Sequence, residues 1–488
     1  MLSITYADGR VSALHLNGAP LATSIAYFPF GGPESWVFGN GTQYLRAIDA
    51  NGRIAAFTTP RGDKSLAFDA AGRITRIDRH EGEATHSQAF GYDATGRLTS
   101  FAGFTSQAPL ETQSFTYDAN GNRLTATLNA TTRAYGYVAG SNRLASVSGL
   151  YANTWDAAGN LLSDGQRSFT YDARGRLASA TMGAITTTYR HNARGQRVLK
   201  MNAQETVRYL HDEAGHLLGE YGPTGTPLRE YVWLGDTPLA VLGREPAFCA
   251  EGASPPCEGV AYLWTDHLNS PREATNAANR RIWAWESLPF GESAPNESPE
   301  GLASFTLNLR FPGQYFDSET GATENHFRTY ESSQGRFLQF DPASFEGGPN
   351  PYLYAIASPI SRYDPDGLSS LCFDRAAGTI FLYSSTGLRL GEYAAGNNVI
   401  PGAATWPDGT YPFSWYNQFS SPQISFGSNG NFIFSVLGRS GMGVHSGRLG
   451  PSSRTEGCIR TTDEGTGAIR DMHSSDPLTY ITVGSSCP

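Results

Sequence analysis

The chain has 488 residues, a formal net charge of −9, 55 glycines, 24 tyrosines and 26 phenylalanines, but only two lysines, Lys64 and Lys200. That length exceeds one compact core, so two or more domains are expected, and glycine with aromatics at low charge density favours a mainly β chain rich in turns. The acidic balance argues against a nucleic-acid scaffold, and no apolar run reaches the roughly 18 residues of a membrane span. The start, MLSITYADGRVSALHLNG, shows no basic region leading into an apolar core, so it does not read as a secretory signal.

Internal repeats dominate the first half. The unit is an aromatic, Asp, two small residues, Gly, then Arg or Asn and an aliphatic. It reads IDANGRI (48–54), FDAAGRI (68–74), YDATGRL (92–98), YDANGNRL (117–124), WDAAGNL (155–161) and YDARGRL (171–177). HNARGQRV (191–198) is degenerate and HDEAGHLL (211–218) follows. Asp and Asn hydrogen-bond their own backbone in turns, and Gly supplies positive φ. Each copy therefore predicts a β-hairpin, and neighbouring hairpins must pair to bury their apolar faces.

These copies resemble the YD-repeat of Rhs proteins. So do YLWTDHLNSPREATNAANRRIWAWESLPFGES (262–293), RFPGQYFDSETGATENHFRTYESSQGRFLQFDP (310–342) and NPYLYAIASPISRYDPDGL (350–368). Departures are His267-Leu268-Asn269-Ser270 in place of the usual HLGT, and Thr323-Glu324-Asn325-His326. The resemblance covers about residues 45 to 368. It implies a β-sheet spiralling into a hollow shell around a polymorphic C-terminal toxin. The chain starts mid-repeat, as a fragment or an orphan cassette would. The expected divisions are a YD-repeat β-shell (1–293), a core-associated autoprotease or plug segment ending in DPDGL (294–368), and a toxin domain (369–488).

The resemblance also implies an aspartyl-type self-cleavage between Leu368 and Ser369. The matching acids are Asp341 and Asp364, with Asp366 also in reach. Two carboxylates sharing a site titrate apart, so one serves as acid and the other as base. Arg336 is the candidate for holding one of them ionised.

After Leu368 the repeats stop. Strands are predicted near Thr379–Tyr383, Leu388–Ala394, PDGTYPFSW, PQISF, NFIFSVL and LTYITV, with a short helix in TDEGTGAIRDMH capped by Thr461 or Thr462. Seven arginines face eight acids here, with no lysine, which weakens a nuclease reading. No CxxC or HExxH occurs, so no metal or other cofactor is expected.

His445 precedes Cys458 by thirteen positions in GMGVHSGRLGPSSRTEGCIR. A thiol beside an imidazole is the minimum equipment for nucleophilic acyl transfer. Gly457 would let backbone N–H groups turn toward an oxyanion, and a carbonyl of Ser446 or Gly447 would orient His445. His445-Ser446 and Thr455-Glu456-Gly457-Cys458-Ile459-Arg460 resemble the L,D-transpeptidase (YkuD-like) domain, although Glu456 replaces a frequent histidine and the intervening loop is short.

The transpeptidase resemblance implies attack by Cys458 on peptidoglycan stem peptides, by L,D-carboxypeptidase action or D-amino-acid exchange, with Arg460 and Thr455 binding substrate. The two resemblances together imply a protein made in the cytoplasm, exported by a secretion-system component such as type VI, active in a target periplasm and held by a cognate immunity protein, with no nucleic-acid partner. Cys372 and Cys487 would bridge the ends of the domain in an oxidising compartment or remain thiols, and Cys249 and Cys257 would pair likewise or sit in a loop. Rival readings are another Cys/His amidase or peptidase, and a non-enzymatic YD-repeat surface protein.

Overall fold

The computed structural model describes residues 1–29, 32–105, 109–148, 151–249, 253–341, 350–364, 370–375, 378–383, 389–397, 406, 409–417, 431–434, 443–446, 458–473, 478 and 480–484. Two compact units result. One comprises Met1–Phe28, Gly32–Phe340 and Tyr352–Pro365; the other comprises Pro29–Gly31, Asp341–Pro351 and Asp366–Pro488.

The first unit is a long antiparallel meander. One sheet has 15 strands, from Leu2–Ala7 to Tyr151–Ala152, and a second has 13, from Thr154–Trp155 to Arg281–Ala284. In both, strands adjacent in sequence are adjacent in the sheet. A four-stranded sheet from Tyr315–Asp317 to Arg336–Phe337 completes the unit.

The repeat motif explains this pattern atom by atom. In FDAAGRI, Asp69 Oδ1 accepts from the backbone N–H groups of Ala71 (2.9 Å) and Arg73 (3.0 Å). Gly72, at φ 79°, closes the turn on the Asp69 carbonyl. A three-residue loop with glycine in the left-handed region is one of the favoured hairpin closures, and the register shift it causes falls between Ala67 and Phe68.

Successive copies are also tied together. Arg73 binds its own Asp69 at 2.7 Å, donates to the carbonyl of Asp93 in the next copy at 2.9 Å, and lies 5.0 Å over the Tyr92 ring. Tyr92 answers by donating its hydroxyl to the Ile74 carbonyl at 2.7 Å. Arg97, Asp118 and Tyr117 repeat the arrangement, with the Tyr117 hydroxyl on the Leu98 carbonyl. Trp155 and Trp233 make the same bond through indole N–H, to Leu144 and Leu217. Tyr and Trp at the aromatic position thus add a donor, whereas Phe68 offers only its ring, 4.0 Å under the Arg53 guanidinium.

The HLNS departure follows from the same turn. Asp266 Oδ1 accepts from Leu268 and Ser270, while Asn269 takes φ 68° where a repeat would place glycine. Asparagine is the residue other than glycine best suited to that region.

Apolar residues of both sheets, such as Trp36, Phe38, Phe90, Phe115, Tyr262 and Trp264, form one core with Leu288, Phe290 and Ile360. A second core joins Tyr231, Val241 and Trp283 to Phe305, Phe311, Tyr330 and Tyr354. Residues of 285–337 and 353–360 therefore pack on the buried face of both sheets. Cys249 and Cys257 form a disulfide.

The second unit contains a closed barrel of eight strands. Their order is Ser370–Asp374, Thr379–Tyr383, Arg389–Gly396, Ile459–Thr461, Gly443–His445, Asn431–Phe434, Gly409–Asn417 and Tyr480–Gly484. Phe373, Trp406, Phe432, Val444, Ile459, Ile469 and Ile481 fill its core. The helix spans Asp463–His473, and Thr462 Oγ1 accepts from the Gly465 N–H at 2.9 Å, an N-cap bond. The PQISF segment, Cys487 and the Cys372 side chain lie outside the described residues, so the expected Cys372–Cys487 bridge does too.

Candidate functional site

The barrel brings His445 and Cys458 together through a parallel strand pair. Val444 pairs with Ile459 and His445 with Arg460. Val444 and Ile459 are wholly buried in the barrel core. Alternation then puts His445 and Arg460 on the opposite face, and Cys458, two residues before Arg460, on that face as well. Strand spacing and rise place the His445 and Cys458 Cα atoms roughly 8 Å apart. Close packing explains Gly443: a Cβ there would fall 2.0 Å from Asn431.

His445 is buried, and its Nδ1 lies 2.8 Å from the Ser446 carbonyl oxygen. A carbonyl only accepts, so Nδ1 carries the proton and Nε2 the lone pair. Burial, aided by the Arg460 guanidinium and opposed by the Ser446 carbonyl, pushes the His445 pKa down to about 4. The ring is neutral near pH 7, the state a general base requires. Ser446 Oγ in turn donates to Asp463 Oδ1, and Thr466 Oγ1 lies 3.2 Å from Ser446 Oγ.

Cys458 is partly exposed, and its carbonyl accepts from Asn397 Nδ2 at 2.9 Å. Asn397 Oδ1 accepts from the backbone of buried Trp406 at 2.7 Å, which ties the cysteine peptide to the core. Arg460 is buried. Thr455 and Gly457 lie outside the described residues. Asn397, Asp463 and Thr466 were not found by sequence reasoning; the signal available for Asp463 was an acid at the first helical position.

At the junction, Asp364 forms a buried ion pair with Arg328 at 3.2 Å, and Asn325 Nδ2 donates to the Asp364 carbonyl at 2.9 Å. Phe337 stacks 3.7 Å from the Arg328 guanidinium. Arg336, expected to hold one of the acids, instead donates to the Asn142 carbonyl at 2.6 Å and stacks on Tyr352. That carbonyl lies in the turn between the strands Thr131–Tyr137 and Leu144–Val147, so the Arg336 side chain reaches the repeats rather than an acid. Asp341 is buried, with its N–H on the Pro351 carbonyl at 3.1 Å. Leu368, Ser369 and Asp366 lie outside the described residues. Just upstream, Ala355, Ile356 and Ala357 all hold φ near +50°, a left-handed turn costing about 1–2 kcal/mol per residue.

This meander of Asp-clamped hairpins has the fold of a YD-shell, and residues 59–212 match the Teneurin YD-shell family model. Its repeats are those of the Rhs toxins to which the chain is similar. It is 30% identical over 63% of its length to double-stranded DNA deaminase toxin A of Burkholderia cenocepacia, and 28% identical over 62% to toxin protein Tse5 of Pseudomonas aeruginosa. A probable deoxyribonuclease RhsA of Dickeya dadantii is 26% identical over 74% of the chain. The chain spans 22%, 27% and 26% of those proteins' own lengths.

Among solved structures, the Photorhabdus luminescens Tc holotoxin pore shares the fold, with TM-score 0.62 and 18% identity over 75% of this chain and 20% of that one. An L,D-transpeptidase from Stackebrandtia nassauensis matches at TM-score 0.19 and 15% identity over 24% of this chain and 55% of that one, too little to carry weight.

These relatives overturn the partner expectation, which excluded nucleic acid and named peptidoglycan stem peptides. Two of them are named for action on DNA. The physical fault lay in using charge sums: the repeats between 45 and 218 hold more Lys and Arg than Asp and Glu, the acidity lies mainly between 219 and 368, and a nucleic-acid enzyme needs only a local basic groove.

Proposed function

We propose that the chain is the toxin-bearing part of a polymorphic toxin. A junction frees the C-terminal domain by self-cleavage after Leu368, and the barrel performs cysteine-dependent acyl transfer. His445 Nε2 takes the Cys458 thiol proton as sulfur attacks a carbonyl. The carbon–sulfur bond forms, the carbon–nitrogen bond of an amide breaks, and the departing amine takes the proton from His445. Water, with His445 again as base, releases the acyl group. Support comes above all from one observation: the His445 Nδ1–H on the Ser446 carbonyl, on the sheet face that register assigns to Cys458.

Growth on expressing the full chain tests this. Wild type arrests growth, while Cys458→Ala and His445→Ala do not. A second reading, favoured by the names of the relatives, is action on nucleic acid. It holds instead if Cys458→Ala remains as toxic as wild type and the purified chain damages DNA or tRNA while leaving peptide amides intact.

A further inference from the structure

On the acyl-transfer reading, on which this step rests, the His445 ring must keep one tautomer: a proton on Nδ1 and a lone pair on Nε2 toward Cys458. The Ser446 carbonyl selects that tautomer, and it stands just past the three-residue strand Gly443–His445. The Ser446 side chain fixes the direction of that carbonyl. It is buried, its hydroxyl donates to Asp463 Oδ1, and the hydroxyl of buried Thr466 lies 3.2 Å away.

Asp463 and Thr466 stand three apart on the helix Asp463–His473, so both face the same strand end. The helix itself is anchored. Thr462 caps it, and Gly465 packs so closely that a Cβ would meet Thr461 and Tyr393 at 2.7 and 2.8 Å. It follows directly on Ile459–Thr461, the strand that begins beside Cys458. One rigid element therefore positions both partners: its N-terminal turn holds the base, and the strand leading into it holds the nucleophile.

We propose that Asp463, seconded by Thr466, is a positioning residue for His445, acting through the Ser446 hydroxyl to lock the Nδ1–H tautomer. Both reach the imidazole by way of Ser446. Their action is conformational. Without the Asp463 carboxylate the Ser446 peptide rotates, the carbonyl leaves Nδ1, and the ring populates the Nε2–H form, which has no lone pair facing the thiol.

Ring 15N spectra of the full chain, with histidine labelled, read this directly. Ten histidines are few enough for His445 to be assigned by difference with His445→Gln. Wild type shows the Nδ1–H pattern. Asp463→Ala and Ser446→Gly shift His445 toward the Nε2–H pattern, whereas Asp463→Asn and Ser446→Thr, which keep the hydroxyl–acceptor pair, restore it. Alkylation of Cys458 by iodoacetamide at pH 7, followed by peptide mass spectrometry, slows by about tenfold or more in Asp463→Ala and recovers in Asp463→Asn.

An unchanged His445 tautomer in Asp463→Ala overturns the proposal, as does Asp463→Asn behaving like Asp463→Ala. If Asp463→Ala shifts the tautomer but His445→Gln leaves alkylation at the wild-type rate, the positioning stands and the acyl-transfer reading falls.

Discussion

Arg328 and Asp364 face each other across 3.2 Å with both side chains sealed from water. Removing one partner of a buried pair leaves a charge with no solvent, so Arg328→Met is expected to destabilise the chain by about 3–5 kcal/mol. The same carboxylate belongs to the proposed cleavage site. Asp364→Asn should therefore leave one polypeptide where wild type gives two, ending and beginning at Leu368 and Ser369. Intact-mass spectrometry reads the outcome, and an uncut wild-type chain would falsify the self-cleavage proposal.

Tyr117 tests the ladder between repeats. Its hydroxyl donates to the Leu98 carbonyl at 2.8 Å and also meets Arg123, and Tyr117→Phe removes the hydroxyl while keeping the ring. A loss of about 1 kcal/mol is expected, seen as a lower urea midpoint with an unchanged slope. No change in midpoint would mean that the hydroxyl is decorative.

Acid should unfold the repeat unit by way of His191 and His211. Burial, with nearby cationic groups, pushes both down to about 4. Their folded pKa lies below the unfolded value of about 6.5, so the folded state binds fewer protons. Stability is full above about pH 6.5 and falls as pH drops toward 4. His216 has the opposite sign. Burial opposes its charge, but Asp212 and Asp236 outweigh burial and raise it to about 10, so its contribution is full below about pH 6.5 and is lost progressively as pH rises to 10. Melting temperature against pH checks both limbs, and His211→Gln should flatten the acid one.

Reducing the Cys249–Cys257 bridge, which closes a loop of separation 8, should cost about 2–3 kcal/mol in the chain-entropy model. Thermal melts with and without reductant measure it.

Much of the fold was legible because the turn is local: aspartate, glycine and arginine sit within five residues, and each bond of the clamp is predictable from them. The ties between repeats were not, since Arg73 reaches Asp93 only once the strands have paired. Asn269 read as a departure because residue identity stood in for backbone angle. Which arginine meets Asp364 was equally hidden. Arg328 and Arg336 both lie in short strands, and alternation says nothing of which face looks toward a residue 36 positions on. In the barrel, the contact between His445 and Ser446 joins sequence neighbours, whereas Asp463 arrives by a return of 17 residues. Charge sums, over the whole chain and over the last domain alike, misled about partners because a sum does not show where the charges lie.

The clamp-and-ring ties have a consequence for how such a wall is inherited. Each rung is bolted to the rungs beside it, so that share of its stability is a sum of near-identical neighbour terms. Copies can then be gained or lost in whole units, as unequal recombination between similar stretches of a gene would do, and every product still closes its bonds. The length of the wall becomes a quantity that selection can tune by counting.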